Sequence, residues 1–338
     1  MTGSLWGYLL IFVGSLSGCL LLTPFALRLA IFLNIYDQPS NRKIHKSPVP
    51  HIGGVAIVTT FSIAILIASK IRSPEAGSGQ INLILGLALF LAFVGLIDDL
   101  KGISPLQKTI SQFICAICIC LAGDGVSIFQ IGVLDWSITV LWVVGITNAF
   151  NLLDNMDGLT AGLAGIASLA FFGIAALNDQ YLVASLSLAL AGCSLGFLKK
   201  NYHPAEIFMG DGGSLFLGFL ISYIGLKLRF DSPISRSFLV PITICAVAVI
   251  DTTLVVCSRL LKGLSPFQGG QDHLSHRLLK LGFSIPNSVR SIYSLSVIVA
   301  TVSVFIARSA SFSAWFLLIT IWLILLLIFF RALRVSTE

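Results

Sequence analysis

Residues Val140–Gly162 read VLWVVGITNAFNLLDNMDGLTAG, an uncharged apolar run that passes straight into a polar strip. Asn148, Asn151, Asp154, Asn155 and Asp157 recur at spacings of three and four. On a helix that spacing gathers them on one broad face. The run reads as a membrane-spanning helix, and the strip as the place where it surfaces into a polar site.

The rest of the chain follows the same plan. Of its 338 residues 56% are hydrophobic and 11% charged, more apolar surface than a soluble domain needs. The expected fold is all-α, a polytopic membrane helical bundle forming a single domain over residues 1–338. About eleven spans are predicted, near residues 4–27, 52–69, 82–97, 108–123, 135–152, 160–178, 181–198, 212–228, 237–257, 289–307 and 312–330. The runs lack strand-length alternation, which argues against a β-barrel. The first has no basic flank or cleavage site and reads as a retained span. Basic residues split 15 to 6 between the two sets of loops, of the 21 present. The richer set is therefore expected in the cytoplasm, with the N-terminus outside and the C-terminus inside. The charge of +6 forms no stripe for nucleic acid. Cys115, Cys118 and Cys120 lie mid-span without partners and read as inert thiols.

Polar chemistry collects on the basic side, in loops near 37–54, 98–108, 148–160, 199–214 and 258–288. All five histidines fall there. The loop DQPSNRKIHKSPVPHIGG carries a cation cluster that includes Lys46, fit either to anchor the membrane edge or to receive a phosphate. In GLIDDLKGISPLQK, Asp98 and Asp99 close an apolar span, with Lys101 and Lys108 after them. Acids at a helix C-terminus oppose its dipole, so a compensating cation is expected. The strip after Asn148 offers hard oxygen ligands suited to Mg²⁺, with a simple turn as the plainer reading. In KKNYHPAEIFMGDGGSLFLG, Asp211 stands among glycines at a helix start, either as a cap or as a metal ligand. In GLSPFQGGQDHLSHRLLKLG, Asp272 is placed to N-cap a short helix. His273, His276 and Arg277 then share one face, suited to phosphate oxygens.

These motifs, DDLK, NAFNLLDNMDGL, HPAEIFMGDGGS and DHLSHRL, resemble in order and separation those of the integral-membrane polyprenyl-phosphate N-acetylhexosamine-1-phosphate transferases. The resemblance covers nearly the whole chain. It implies transfer of a HexNAc-1-phosphate from a UDP-sugar to undecaprenyl phosphate with release of UMP, starting a lipid-linked envelope glycan. It implies Asp98 and Asp99 at the lipid phosphate, one of them as base, and Asp154 and Asp157 at the nucleotide sugar and catalytic centre. Asn151 and Asp211 would hold Mg²⁺, with Mn²⁺ as a substitute. Asn201 and Phe208 would contact uracil, while Lys46, Lys108, His273, His276 and Arg277 would face phosphates. DHLSHRL lacks the three adjacent histidines of the phospho-MurNAc-pentapeptide branch and is closer to the GlcNAc-1-phosphate branch, although Ser275 stands where that branch usually has histidine. The expected partners are the UDP-N-acetylhexosamine, the polyprenyl phosphate, membrane lipid and a second copy in a homodimer, with no nucleic acid. The expected location is the inner (plasma) membrane, with the site on the cytoplasmic face. A different UDP-HexNAc donor is the near alternative; a proton-coupled transporter is the distant one, disfavoured because the acids lie at one surface and not at the midplane.

Overall fold

The computed structural model describes residues 5–39, 47–71, 78–230, 234–266, 270–309 and 311–336. Its helices are α1 (Leu5–Phe32), α2 (Gly54–Ile71), α3 (Ser78–Lys101), α4 (Pro105–Leu121), α5 (Gly132–Leu152), α6 (Leu159–Leu177), α7 (Tyr181–Asn201) and α8 (Gly210–Lys227). There follow α9 (Ile234–Ile244), α10 (Ala246–Leu261), α11 (Leu274–Lys280), α12 (Ile285–Arg308) and α13 (Ser311–Leu333). The all-α expectation holds. The departure from it is a pair of two-residue strands, β1 (Tyr36–Asp37) and β2 (Val49–Pro50), joined antiparallel.

Each of the eleven apolar runs lies on helix. Among the described residues eight helices are long and apolar enough to cross a membrane, or nine with α9 and α10 taken as one span, so this is a multi-pass membrane protein. The run at 237–257 is not one straight span. It bends by 73° between Ile244 and Ala246. Pro241 lies in the turn before the bend and has no N–H to give the helix ladder. Among the shorter segments α4 has 17 residues, and α8 opens on the polar Gly210–Ser214.

In lipid the hydrophobic effect does not pull helices together, so close backbone approach has to. Small residues supply it here. A Cβ on Gly192 or Gly196 of α7 would come within 2.8 Å of Phe12 O or 2.7 Å of Leu16 O on α1. A Cβ on Gly218 of α8 would sit 2.8 Å from Thr147 O on α5. Trp142 Nε1 donates to Ser222 O at 2.8 Å across the same contact, satisfying an indole that lipid would leave unpaired. Helix α8 is the axis of the bundle, buried from Gly212 to Leu226 and packed by α3 and α5. The large exposed apolar side chains are the lipid-facing surface, among them Trp6 and Phe25 on α1 and Phe312 and Phe316 on α13.

This packing brings the C-terminal end of α3, the N-terminal end of α4, the C-terminal end of α5 and the N-terminal end of α8 to one end of the bundle. A capping box starts α4 sharply: Ser104 Oγ accepts from Gln107 N at 3.3 Å, and Ser104 N donates to Gln107 Oε1 at 2.9 Å. That fixes Lys108 one turn into the helix. The segment after β2 is stitched to the segment before α8. Phe208 N donates to Pro50 O at 2.8 Å, Gly53 N to Phe208 O at 2.9 Å and Gly54 N to Met209 O at 2.8 Å.

Candidate active site

At this end, acids from two helices, α3 and α8, meet around one lysine of α4. Lys108 Nζ lies 2.6 Å from Asp98 Oδ2 and 2.6 Å from Asp211 Oδ2, bridging α3 to α8. Asp98 Oδ1 also accepts from Ile103 N at 2.7 Å. Asp99 turns the other way and caps α8, with Oδ1 taking Asp211 N at 2.8 Å and Oδ2 taking Gly212 N at 3.1 Å. A carboxylate on those two N–H groups sits at the positive end of the α8 dipole, which answers the conflict its place on α3 creates. His51 Nε2 stands 3.8 Å from the same carboxylate. Asn151, in the last turn of α5, completes the group. Its Nδ2 donates to Asp211 Oδ1 at 3.0 Å and to Ser214 Oγ at 2.9 Å.

Glycine makes this convergence possible. Gly210 has φ +74°, and a Cβ there would meet Asp99 Oδ2 at 2.6 Å. On α3, a Cβ at Gly95 would lie 2.4 Å from the Asp211 carbonyl, so the α8 start rests directly on that helix.

Asp154, in the turn between α5 and α6, registers the crowding. Burial, with the charges of Asp211, Asp99 and Asp37 added, pushes its carboxyl up to about 8. Between the ordinary value of 3.8 and about 8 the folded chain holds a proton that the unfolded chain has released. Stability must therefore fall as pH rises through that window. The expected result, in detergent with chelator, is a melting temperature that drops between about pH 5 and about pH 8, by less in Asp154→Asn. Equal slopes in the two proteins would show that Asp154 does not carry the extra proton.

The remaining expected residues divide into groups. Asp157 Oδ2 pairs with His203 Nδ1 at 2.7 Å and accepts from Ala205 N at 3.1 Å, so it shapes the connection from α7 to α8. Asn201 is buried, 3% exposed, and its Nδ2 donates to Ile207 O at 3.0 Å. Phe208 is half-buried beside the His51 bridge. Lys46 lies outside the described residues.

One expectation about the last motif is corrected. Asp272 does not N-cap α11. His273 occupies the cap position without a side-chain cap bond, and Leu274 N instead donates to Asp251 Oδ1 at 2.6 Å. Asp272 pairs with Arg259 Nε at 3.0 Å and Lys262 Nζ at 3.5 Å. Arg277, expected on the phosphate side, is turned to protein partners. It is 1% exposed, and its guanidinium donates to Asp272 O (2.9 Å), Ala332 O (2.8 Å), Val335 O (2.6 Å) and Ser258 Oγ (2.8 Å). It braces the end of α13 against α11, adding a side-chain donor to carbonyls at a helix end. His276 is buried, and burial with neighbouring His273 pushes it down to about 4, so it is neutral at neutral pH. Ser275 Oγ donates to Asn155 Oδ1 at 2.7 Å, tying this helix to the polar strip. Asp251, His203, Ser214 and His51 were not among the expected site residues. Of these, Ser214 carried a sequence signal, since it stands three residues after Asp211 on a helix start.

The family model of glycosyl transferase family 4 matches residues 81–229, which hold Asp98, Asp99, Lys108, Asn151, Asp154, Asp157 and Asp211. Over 307 residues the chain is 37% identical to a Bacillus subtilis protein named probable undecaprenyl-phosphate N-acetylglucosaminyl 1-phosphate transferase, covering 88% of this chain and 84% of that one. The chain belongs to glycosyl transferase family 4. Another relative is the decaprenyl-phosphate N-acetylglucosaminephosphotransferase of Mycolicibacterium smegmatis, 32% identical over 80% of this chain and 75% of its own. The phospho-N-acetylmuramoyl-pentapeptide-transferase of Bacillus thuringiensis is 29% identical over 85% and 92%. Within the family the chain thus lies nearer these two N-acetylglucosamine-phosphate transferases than this muramoyl-pentapeptide one, as the DHLSHRL motif leads one to expect. A transporter has no support from this membership.

Among the described residues no three His, Cys, Asp or Glu side chains form a cage for a metal ion. Mg²⁺ does not require one, because one or two protein oxygens with water and substrate phosphate complete its shell. Asp211, Asn151 and a carboxylate crowd short of positive charge fit that kind of site.

Proposed function

We propose that this protein transfers GlcNAc-1-phosphate from UDP-GlcNAc to a polyprenyl phosphate, undecaprenyl phosphate being the expected acceptor, and releases UMP. The observation that carries the reading is the Asp98–Lys108–Asp211 bridge at the end of an apolar bundle, where a lipid phosphate and a soluble diphosphate can meet. An apolar groove of about 190 Å³ between α2, α3 and α8 ends on Asp99 and Gly212, and Val55, Val58, Leu89 and Phe93 line it. That lining suits the first isoprene units of the acceptor, with the phosphate left at the acids.

In the reaction an oxygen of the lipid phosphate attacks the β-phosphorus of the donor, and the bond from that phosphorus to the bridging oxygen breaks. The bridging oxygen leaves with UMP. Both substrates are anions, so catalysis rests on positioning and charge compensation. Lys108 moves from its two carboxylates to the incoming phosphates. Asp98, released from Lys108, takes any proton carried by the acceptor phosphate. Asp99 keeps the α8 N-terminus in place. Asp157, through the His203–Ala205 connection, and Asn201, through Ile207, shape the loop that presents Phe208 to uracil. Asp211 and Asn151 would hold Mg²⁺, or Mn²⁺ in its stead, which when bound neutralises charge on the diphosphate. The excess of Lys and Arg in the loops at this end supports a cytoplasmic face of the plasma membrane, where nucleotide sugars are made.

A donor screen tests the reading. Purified protein, undecaprenyl phosphate and Mg²⁺ are given UDP-GlcNAc, UDP-GalNAc or UDP-MurNAc-pentapeptide in turn, and UMP is measured. UMP release should be greatest with UDP-GlcNAc and should need the lipid. Release with another donor alone would move the specificity. No release with any donor would remove the function.

A further inference from the structure

Asp251 belongs to none of the polar motifs, yet it is a carboxylate on α10 with 1% exposure. Such a group stays in an apolar helix only if its oxygens are matched. Its Oδ2 lies 2.7 Å from His273 Nδ1, and its Oδ1 takes Leu274 N at 2.6 Å. The second bond starts α11. The first puts a proton on Nδ1 and leaves Nε2 as the ring's other nitrogen. Ser275, two residues on, is bonded to Asn155 in the Asn151–Asp157 strip, and the His276 ring centroid lies 5.7 Å from that of His273. The oriented imidazole is thus held beside the strip by a group on a different helix.

We propose that Asp251 is a positioning residue for the transfer, acting through His273. It fixes the ring with Nδ1–H toward α10, so that Nε2 meets a phosphate oxygen of the donor. A phosphate at Nε2 then selects the doubly protonated ring, one N–H on Asp251 and the other on substrate, in a charge-assisted bond. The inference rests on the transferase reading above.

The test uses the full-length protein and Asp251→Asn, which keeps an acceptor for Leu274 N but offers an N–H to His273 Nδ1. In wild type, ¹⁵N NMR of labelled histidine should show His273 protonated at Nδ1. In Asp251→Asn it should show Nε2 protonated instead. The kcat/KM for UDP-GlcNAc should fall about 10- to 100-fold, as removal of an orienting partner of a ligand histidine does elsewhere. His273→Ala should lose at least as much, and the double variant no more than His273→Ala. An unchanged tautomer, full activity in Asp251→Asn, or losses that add in the double variant would overturn the proposal. If Asp251→Asn does not fold, His273→Gln leaves the α11 cap intact, and full activity there overturns it equally. The tautomer needs no turnover, so it is read even if the wild type makes no product, an outcome that would sink the transferase reading separately.

Discussion

Asp211→Asn should reduce transfer at ordinary Mg²⁺ by at least about a hundredfold, the scale of losing one preorganised electrostatic contact at a reacting centre. The substitution is nearly isosteric. Its backbone N–H still reaches Asp99, and its carboxamide oxygen can still accept from Asn151 at the 3.0 Å contact. Lost are one negative charge, the 2.6 Å ion pair with Lys108 and the anionic ligand proposed for Mg²⁺. The bundle should therefore insert and melt much as wild type does, since Gly95 and Asp99 still seat α8 on α3 and Lys108 keeps its pair with Asp98. Initial rates against Mg²⁺ concentration decide the matter. A flat, low curve, or one displaced to much higher Mg²⁺, is expected. Wild-type rates at ordinary Mg²⁺ would remove Asp211 as a metal ligand.

Lys108→Met carries the second large effect. The ammonium lies between two carboxylates, and truncating one partner of a partly buried charge pair leaves the others uncompensated. If Lys108 only neutralised acids, extra divalent cation would replace it. In the proposed mechanism Lys108 instead moves onto substrate phosphate. A lost hydrogen bond between charged groups, at about 1.5–3 kcal/mol, corresponds to a drop of about 10- to 100-fold in kcat/KM. That drop should persist at saturating Mg²⁺. Full recovery by added Mg²⁺ would reduce Lys108 to a counter-ion.

The two substitutions probe the part of the site that the sequence made legible. Asp98, Lys108, Asn151 and Asp211 stand out because charge and carboxamide at the end of apolar runs need an explanation, and their helices bring them together. The apolar runs likewise marked nearly every helix, since in a bilayer a long apolar segment has little else to become. What the sequence hid depended on distant partners. Asp272 looked like a cap from its position beside the short helix, but the acid that serves α11 comes from α10, 23 residues before Leu274. The Nη1 hydrogens of Arg277 go to carbonyls at the end of α13, 55 and 58 residues later, partners that no local pattern announces. The bend at Cys245 was obscured because hydropathy continues unbroken through it, although Pro241 was visible. Asp99 was expected to share the role of Asp98. Its two oxygens meet the N–H groups of a helix more than a hundred residues on, a contact the sequence did not announce.

What this enzyme moves is a sugar phosphate, and not a sugar. UDP-GlcNAc labelled with ³²P at either the α- or the β-phosphorus separates the two outcomes when each is incubated with the protein, undecaprenyl phosphate and Mg²⁺. The β-label should enter the lipid phase while α-label stays in water as UMP. Both labels remaining in water as UDP, beside a lipid that has gained sugar without phosphorus, would contradict it.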